Sequence, residues 1–178
     1  MGGERFYIHP SSCIMGDVRL GRFVSVFAGA TLRADVHPIS VGDYSNIQEC
    51  AVIHVASHPV EIGKYVTIAH NAVIHACTIK DRCMIGINAV VLDGAVIGEG
   101  SIVGAGAVVK ENTVVPPNSL VVGNPAVIKE GRGNPFMVTY NAMYYYCLAK
   151  RFKEGIFSFS LEEVLKEVQE LMKEHSPS

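Results

Sequence analysis

The stretch "IGINAVVLDGAVIGEGSIVGAGAVVKENTVV", Ile85–Val115, places a branched aliphatic residue at every sixth position. A glycine often follows that residue, as at Gly86, Gly98 and Gly104, and a small residue commonly lies four positions after it. A helix would repeat about every 3.6 residues and a half-buried strand about every 2, so this period indicates neither of them alone. The same spacing is present in three earlier runs, Ile8–Leu32, Val41–Ile53 and Ile62–Ile74. It begins again at Ile79 and continues into the quoted stretch.

A period of six residues is typical of a parallel β-helix built from hexapeptides. Each hexapeptide forms a short strand and a corner, and three of them close one coil of about 18 residues. A β-sandwich of short strands would instead need a turn signal about every 8 to 12 residues. Because hexapeptide helices resemble one another in being left-handed, against the usual right-handed crossover rule, we predict a left-handed parallel β-helix for residues 1–130.

The composition changes after the repeat ends near Pro125. The segments "FMVTYNAMYYYCLAKRF" and "SLEEVLKEVQELMKEH" follow. In the second segment, Ser160 and Glu163 have the spacing of a helix capping box, and apolar residues recur at helical spacing. We therefore predict two helices within residues 131–178, packed back along the prism as an extension of the same domain. The predicted fold class is all-β with C-terminal α.

Charge and composition narrow the classes of partner. The chain has 178 residues, 18% of them charged, and a formal net charge of -2. These values argue against a nucleic-acid or anionic membrane surface as a partner. No window reaches the roughly 18 apolar residues of a membrane helix, and the N-terminus lacks the apolar core of a signal peptide. We therefore expect a cytoplasmic protein.

The cysteines form no CxxC pair that would suggest a redox couple or a thiolate zinc site. We expect all of them to be buried as small hydrophobic residues in a reducing compartment. They are Cys13, Cys50, Cys77, Cys83 and Cys147.

Two breaks in the period are informative about function. From Leu32 to Val41, and again from Ile53 to Ile62, the step is nine positions instead of six. Each break lengthens its coil by half a hexapeptide, so equivalent positions in this region should recur at every twenty-first position. Side chains with that spacing are predicted to stack in columns along the prism.

One of these columns contains histidines. Arg33, His54 and His75 have this spacing and should lie one above another, each directly after an inward aliphatic residue and therefore facing outward. Glu49 stacks on His70 in the same way. Side chains on neighbouring coils lie about 4.8 Å apart, so His54 and His75 can share one metal ion. His70 lies one hexapeptide before His75 and should point about 120° away from it.

A catalytic zinc site of this type needs a third imidazole and one open position. The simplest source of a third imidazole is the same surface of a second subunit. In a cyclic trimer, every chain can give His54 and His75 to one subunit interface, here called a seam, and His70 to the next seam. Such a closed ring has three sites. We therefore predict a homotrimer. The remaining histidines are expected to have structural roles, and they are His9, His37, His58 and His175.

The segments "GRFVSVFAGATLRADV", "SNIQECAVIH" and "VTIAHNAVIHACTI" resemble the γ-class carbonic anhydrases and their γ-carbonic-anhydrase-like relatives. The resemblance covers about residues 5 to 130. It implies that His54, His70 and His75 are the zinc ligands, with His70 donated across a trimer interface. It also implies reversible hydration of carbon dioxide to bicarbonate by a metal-bound hydroxide, with Fe²⁺ or Co²⁺ as alternative metals. Some relatives carry the label ferripyochelin-binding.

The resemblance also implies roles for residues around the metal. Arg33 and Asp35 match the family's "LRxD" motif. They would link the two subunits at the interface and lie near the product bicarbonate, or they would form only a structural salt bridge between subunits. Gln48 and Glu49 match "NIQD", and either would orient the hydroxide. Tyr145 matches a helix tyrosine that some relatives place near the site.

This chain departs from the family pattern in two respects. Glu49 replaces the family's aspartate, and the loops are short, with only Glu61 as a nearby acid. His37 or His58 could instead supply the proton shuttle that fast turnover needs; otherwise the activity should be weak.

Two other classes of protein stay open. A hexapeptide acyltransferase would keep the fold and trimer but use a histidine general base beside a coenzyme A groove. A metal-stabilised trimeric scaffold or binding protein would keep the metal but show little anhydrase activity.

Overall fold

A computed structural model describes residues 6–175 of the chain. Its strands are short, and they follow one another as β1 (Tyr7–Ile8), β2 (Cys13–Leu20), β3 (Ser25–Val26), β4 (Thr31–Val41), β5 (Asn46–Ile47), β6 (Val52–His54), β7 (Val60–Ile62), β8 (Thr67–Ile68), β9 (Val73–His75), β10 (Thr78–Ile79), β11 (Met84–Ile85), β12 (Val90–Val91), β13 (Val96–Ile97), β14 (Ile102–Val103), β15 (Val108–Val109), β16 (Val114–Val115), β17 (Leu120–Val122) and β18 (Val127–Lys129). The helices are α1 (Pro135–Lys153) and α2 (Leu161–His175).

The strands form the faces of a triangular prism. On the first face, β1, β3, β5, β8, β11, β14 and β17 pair in that order, and β18 adds an antiparallel edge. The first half of β4 pairs with β6 and leads through β9, β12 and β15 along the second face. The second half of β4 pairs with β7 and leads through β10, β13 and β16 along the third face. All pairs between successive coils are parallel, which confirms the predicted parallel β-helix of about six turns.

The core is a set of aliphatic columns inside the prism. Ile53 lies in register between Leu32 and Ile74, and all three side chains are fully buried. The glycine that follows many of these aliphatic residues has a steric cause. A Cβ atom at Gly42 would lie 2.6 Å from the carbonyl carbon of Gly63 in the next coil, closer than two such atoms can approach. The hexapeptide pattern therefore reflects inward packing and the close contact between coils.

The coil lengths confirm the two insertions and show one deletion. Leu32 pairs with Ile53 in the next coil, which is the register that the lengthened coil predicts. Ile62, however, pairs with Ile79, so this coil is one position shorter than three hexapeptides. The contraction arises because the step from Ile74 to Ile79 is five positions, and the chain makes this short corner through Ala76, whose φ angle is +44°. Its place directly after His75 was not anticipated from the sequence.

The two C-terminal helices lie where they were predicted. Helix α1 packs against β1, β3, β5 and β8, and therefore returns along the first face towards the start of the prism. Its N-cap is Asn134, whose side chain accepts a hydrogen bond from the backbone N–H of Met137. Helix α2 packs on α1 through the buried residues Val164, Val168 and Met172. Among residues 6–175, no helix has the length and apolar character needed to cross a bilayer.

The prediction that all the cysteines are buried was wrong for two of them. Cys13 and Cys50 are exposed, because each lies at an outward position of its coil. Cys77, Cys83 and Cys147 are buried as expected, and burial raises the pKa of each thiol to about 12. These buried thiols are therefore protonated and unreactive at neutral pH.

Candidate metal centre

The predicted histidine column is present on the second face. Arg33 pairs in register with His54, and His54 with His75. The Nδ1 atom of His54 lies 3.1 Å from the Nε2 atom of His75. Two nitrogen ligands, each about 2.0–2.1 Å from a tetrahedral zinc ion, would themselves lie about 3.3 Å apart. The spacing of these two imidazole nitrogens therefore fits a shared metal ion.

A carboxylate contacts the outer nitrogen of two of the predicted ligands. The Nδ1 atom of His70 lies 2.7 Å from a carboxylate oxygen of Glu49. The Nδ1 atom of His75 bonds the carboxylate of Asp93 in the same way. A carboxylate at Nδ1 holds the proton on that nitrogen and leaves Nε2 as the metal-binding atom. Both rings are therefore fixed in the tautomer that a metal ligand requires.

The third imidazole also has a carboxylate partner. The Nε2 atom of His54 lies 3.3 Å from Oδ1 of Asp35, and Asp35 also pairs with the guanidinium of Arg33. Desolvation opposes ionisation of Asp35, but a backbone hydrogen bond and the charge of Arg33 outweigh it and lower the pKa of this carboxyl. The carboxylate is therefore ionised at neutral pH. It joins Arg33 to the histidine column within one chain.

His70 stands apart from the other two imidazoles, as the coil geometry predicts. It lies in the turn between β8 and β9, whereas His54 and His75 end β6 and β9 on the second face. Between residues 6 and 175, no group of three or more His, Cys, Asp or Glu side chains is close enough to hold one metal ion. The described part of a single chain therefore brings together two imidazoles, those of His54 and His75.

Gln48 is held by a chain of hydrogen bonds that runs from the corner of the prism to α1. Its Nε2 atom donates to Asn46 (3.0 Å), Asn46 donates to the hydroxyl of Thr67 (3.0 Å), and Thr67 donates to Oδ1 of Asn141 (2.9 Å). Because the threonine hydroxyl has a single proton, it donates to one amide and accepts from the other, so the bonds of the series run in one common direction. Gln48 itself is 2% exposed. Its amide is therefore locked with Oε1 free of partners among the described residues.

Tyr145 lies beside the same corner. It lines a cavity together with Gln48, His70 and Asn141, and its ring packs edge-on against Phe27. Burial, with a smaller effect from the charge of Glu49, raises the pKa of Tyr145 to about 12. Its hydroxyl is therefore protonated at neutral pH and can donate a hydrogen bond.

Sequence reasoning missed two residues of this region. Asp93 contacts His75 from the next coil, and its position in "VLDGAV" could have indicated an outward carboxylate next to the histidine column. Asn141 has no such signal, because its contact with Thr67 depends on how α1 docks. The candidate shuttle residues His37 and His58 are both exposed, and His58 bonds Ser57. His9 and His175 bond Ser11 and Tyr65, which fits the structural roles expected of them.

Comparisons with known proteins identify relatives of this chain. A family model described as "Bacterial transferase hexapeptide (six repeats)" matches residues 76–111. "Gamma carbonic anhydrase 1, mitochondrial" of Arabidopsis thaliana is 43% identical over 95 residues, which are 49% of this chain and 34% of that protein. "Probable carbonic anhydrase" of Methanocaldococcus jannaschii is 49% identical over 85 residues, or 47% of this chain and 54% of that protein. The chain thus spans about a third to a half of these relatives' length.

A solved structure extends the similarity over most of the chain. The "hexapeptide transferase family protein from Anaplasma phagocytophilum" superposes with a TM-score of 0.73 and 32% sequence identity, covering 82% of this chain and 91% of that one. Its coverage includes more than the repeat matched by the family model. The chain therefore belongs to the hexapeptide-repeat family, and within that family it is similar to the gamma carbonic anhydrases.

Proposed function

We propose that this protein catalyses the zinc-dependent, reversible hydration of carbon dioxide to bicarbonate at the seams of a homotrimer. In each seam, His54 and His75 of one subunit and His70 of the next would hold the ion. The observation that carries the proposal is that each of these three imidazoles already has a carboxylate at its outer nitrogen. That arrangement orients metal ligands and raises their basicity. Similarity to the gamma carbonic anhydrases supports the reaction.

The charges around the column also suit a cation. Asp35, Glu49 and Asp93 each contact one of the imidazoles, and Arg33 pairs with Asp35 alone among these carboxylates. When bound, zinc would lower the pKa of a coordinated water to about 7 and so supply a nucleophile at neutral pH. Iron or cobalt could occupy the same nitrogen donors.

The residues around the column have separate roles in this proposal. Gln48 presents a fixed amide oxygen, which can accept a hydrogen bond from the reacting water and so orient it. Glu49 is engaged with His70, which leaves Gln48 as the better placed of the two orienting candidates. Arg33 is 47% exposed at its side chain and can bind the bicarbonate anion that forms. Tyr145 can donate a hydrogen bond to an oxygen of the substrate.

A second candidate function is acyl transfer. It is favoured by the similarity to a protein of the hexapeptide transferase family and by the cavity beside the His70–Glu49 pair. In that case His70 would act as a general base, with Glu49 stabilising its charged form. A metal ion would not be needed for this reaction.

Indicator-based stopped-flow measurement of proton release from carbon dioxide tests the proposal. Zinc-loaded protein should accelerate release, and the chelated protein and His54→Ala should not. His9→Ala serves as the matched control, because His9 bonds only local groups, and should behave as the wild type. Full metal occupancy without acceleration would contradict the proposal and favour a scaffold. Repeating the assay with iron and cobalt identifies the most active metal.

A further inference from the structure

We propose that Asn141 of α1 is a positioning residue for the hydration reaction, and that it determines which end of the Gln48 amide faces the metal centre. The inference rests on the proposed function, in which the amide oxygen of Gln48 orients the reacting water. Asn141 acts at a distance, through Thr67 and Asn46. Helix α1 thereby becomes part of the site and is more than an extension that packs along the prism.

The residues between Asn141 and Gln48 are more polar than packing under α1 requires. Asn46 and Thr67 lie in register on the first face, and each is 1% exposed. The same column continues with Met84 and Ile102 in the next two coils, so aliphatic side chains fit these outward positions. Because a buried polar group is costly unless it is hydrogen-bonded, what Asn46 and Thr67 contribute at these positions is their hydrogen bonds.

Asn141 provides the last acceptor of the series. Thr67 donates its single hydroxyl proton to Oδ1 of Asn141 (2.9 Å) and therefore accepts from Nδ2 of Asn46. Oδ1 of Asn46 in turn accepts from Nε2 of Gln48 (3.0 Å). The Oε1 atom of Gln48 is then left to accept a hydrogen bond from the reacting water.

Without an acceptor on α1, the series would run the other way. The Thr67 hydroxyl would donate to Oδ1 of Asn46, and the amide of Asn46 would donate to Oε1 of Gln48. Gln48 would then present its N–H groups, which cannot accept a hydrogen bond from water. The acceptor that Asn141 offers to Thr67 therefore decides which end of the Gln48 amide is available for the reaction.

The position of Asn141 on α1 suits this role. Helix α1 packs against β5 and β8, the strands that contain Asn46 and Thr67. Tyr145 follows Asn141 by four residues and so lies on the same side of the helix, and both residues line the cavity beside Gln48. The docking of one helix thereby positions Gln48 and Tyr145 together.

Hydrogen exchange of the glutamine side chains tests the inference independently of activity. The chain contains two glutamines, Gln48 and Gln169, so labelling glutamine with an NMR-active nitrogen isotope gives two side-chain amide groups in the spectrum of the zinc-loaded protein. Gln169 is exposed on α2 and serves as the internal reference. Asn141→Leu should speed exchange of the Gln48 amide about three- to ten-fold, as expected for the loss of one hydrogen bond. The smaller Asn141→Ala should act in the same direction.

Turnover should follow the same pattern as exchange. Asn141→Leu should lower kcat for hydration about three- to ten-fold while the zinc content stays the same. Asn141→Asp keeps an acceptor for Thr67 and should restore both turnover and slow exchange of Gln48. Thr139→Val is the matched control on α1, because the buried hydroxyl of Thr139 donates to the carbonyl of Pro135 in the same helix. Its loss should change neither measurement.

The outcomes separate this inference from the proposed function. If Asn141→Leu and Asn141→Ala leave either the exchange of Gln48 or the turnover at the wild-type value, the inference is wrong. It is also wrong if Asn141→Asp behaves as Asn141→Leu does. A wild-type protein that binds zinc but does not hydrate carbon dioxide would instead overturn the proposed function, and the exchange of Gln48 would still show whether Asn141 sets its orientation.

Discussion

The carboxylate of Asp93 contacts the Nδ1 atom of His75 from the neighbouring coil. Val73 pairs with Val90, so the coil between them is one position shorter than three hexapeptides. Asp93 is therefore one position beyond the residue opposite His75, at the start of the corner.

Loss of the Asp93 carboxylate should weaken metal binding. In Asp93→Asn, the ring of His75 loses its charged partner, and zinc affinity should fall about 10- to 100-fold, as is typical of such outer partners. Competition with a chromophoric chelator measures the change. Glu99→Gln, which removes an exposed carboxylate bonded to Arg82, is the control and should have no effect. Equal zinc affinities for the two variants would show that Asp93 does not support His75.

Gln48 should affect turnover and not metal content. Gln48→Ala removes the fixed amide oxygen but none of the imidazoles, so hydration should slow by at least ten-fold while zinc remains bound. Thr67→Val interrupts the hydrogen bonds that hold Asn46 and, through it, Gln48, and should cause a smaller loss of the same kind. Stopped-flow assays on samples with measured zinc content provide the test. Loss of zinc from Gln48→Ala would place this residue among the ligands instead.

Removal of the metal should destabilise the assembly. If one ion joins two subunits, its binding energy also contributes to their association. Treatment with a chelator should therefore lower the melting temperature and shift the trimer towards smaller species in light scattering. Adding zinc back should reverse both changes. A trimer whose melting temperature and mass are the same before and after complete removal of metal would contradict this part of the account.

The aliphatic columns should dominate the stability of the prism. Ile53 is fully buried between two coils, whereas Val52, its neighbour on the same strand, is 39% exposed. Ile53→Ala should lower the free energy of unfolding by about 2–5 kcal/mol. Val52→Ala should lower the free energy of unfolding by well under half of that amount. Denaturant titration of both variants compares them, and similar losses would mean that inward packing is not what holds the coils together.

The regular part of the fold could be predicted from the sequence because it depends on local spacing. The period of six identifies the inward positions, and the two steps of nine are enough to bring His54 next to His75. Asp93 is one position beyond the residue opposite His75, so its contact with the imidazole depends on the conformation of the corner and not on spacing alone. The sequence therefore predicts the column more readily than its carboxylate partners.

Features that depend on docking between distant segments could not be predicted in this way. Asn141 reaches Thr67 only because α1 packs along the first face, and no spacing within the chain encodes that approach. The exposure of Cys13 and Cys50 had a different cause. Cysteine is among the residue types most often buried, so residue type predicts burial, although both positions face outward in the hexapeptide frame.

The most direct test of the central claim is reassembly of two inactive variants. His54→Ala and His70→Ala trimers should each be inactive, because every seam lacks one ligand. After the two are unfolded together and refolded, every mixed trimer should contain one seam that combines the intact His54 and His75 of one chain with the intact His70 of the other. Statistical mixing should then restore about a quarter of the wild-type hydration rate. If the mixture stays as inactive as the separate variants, the three imidazoles do not meet across a subunit interface, and the proposed site is wrong.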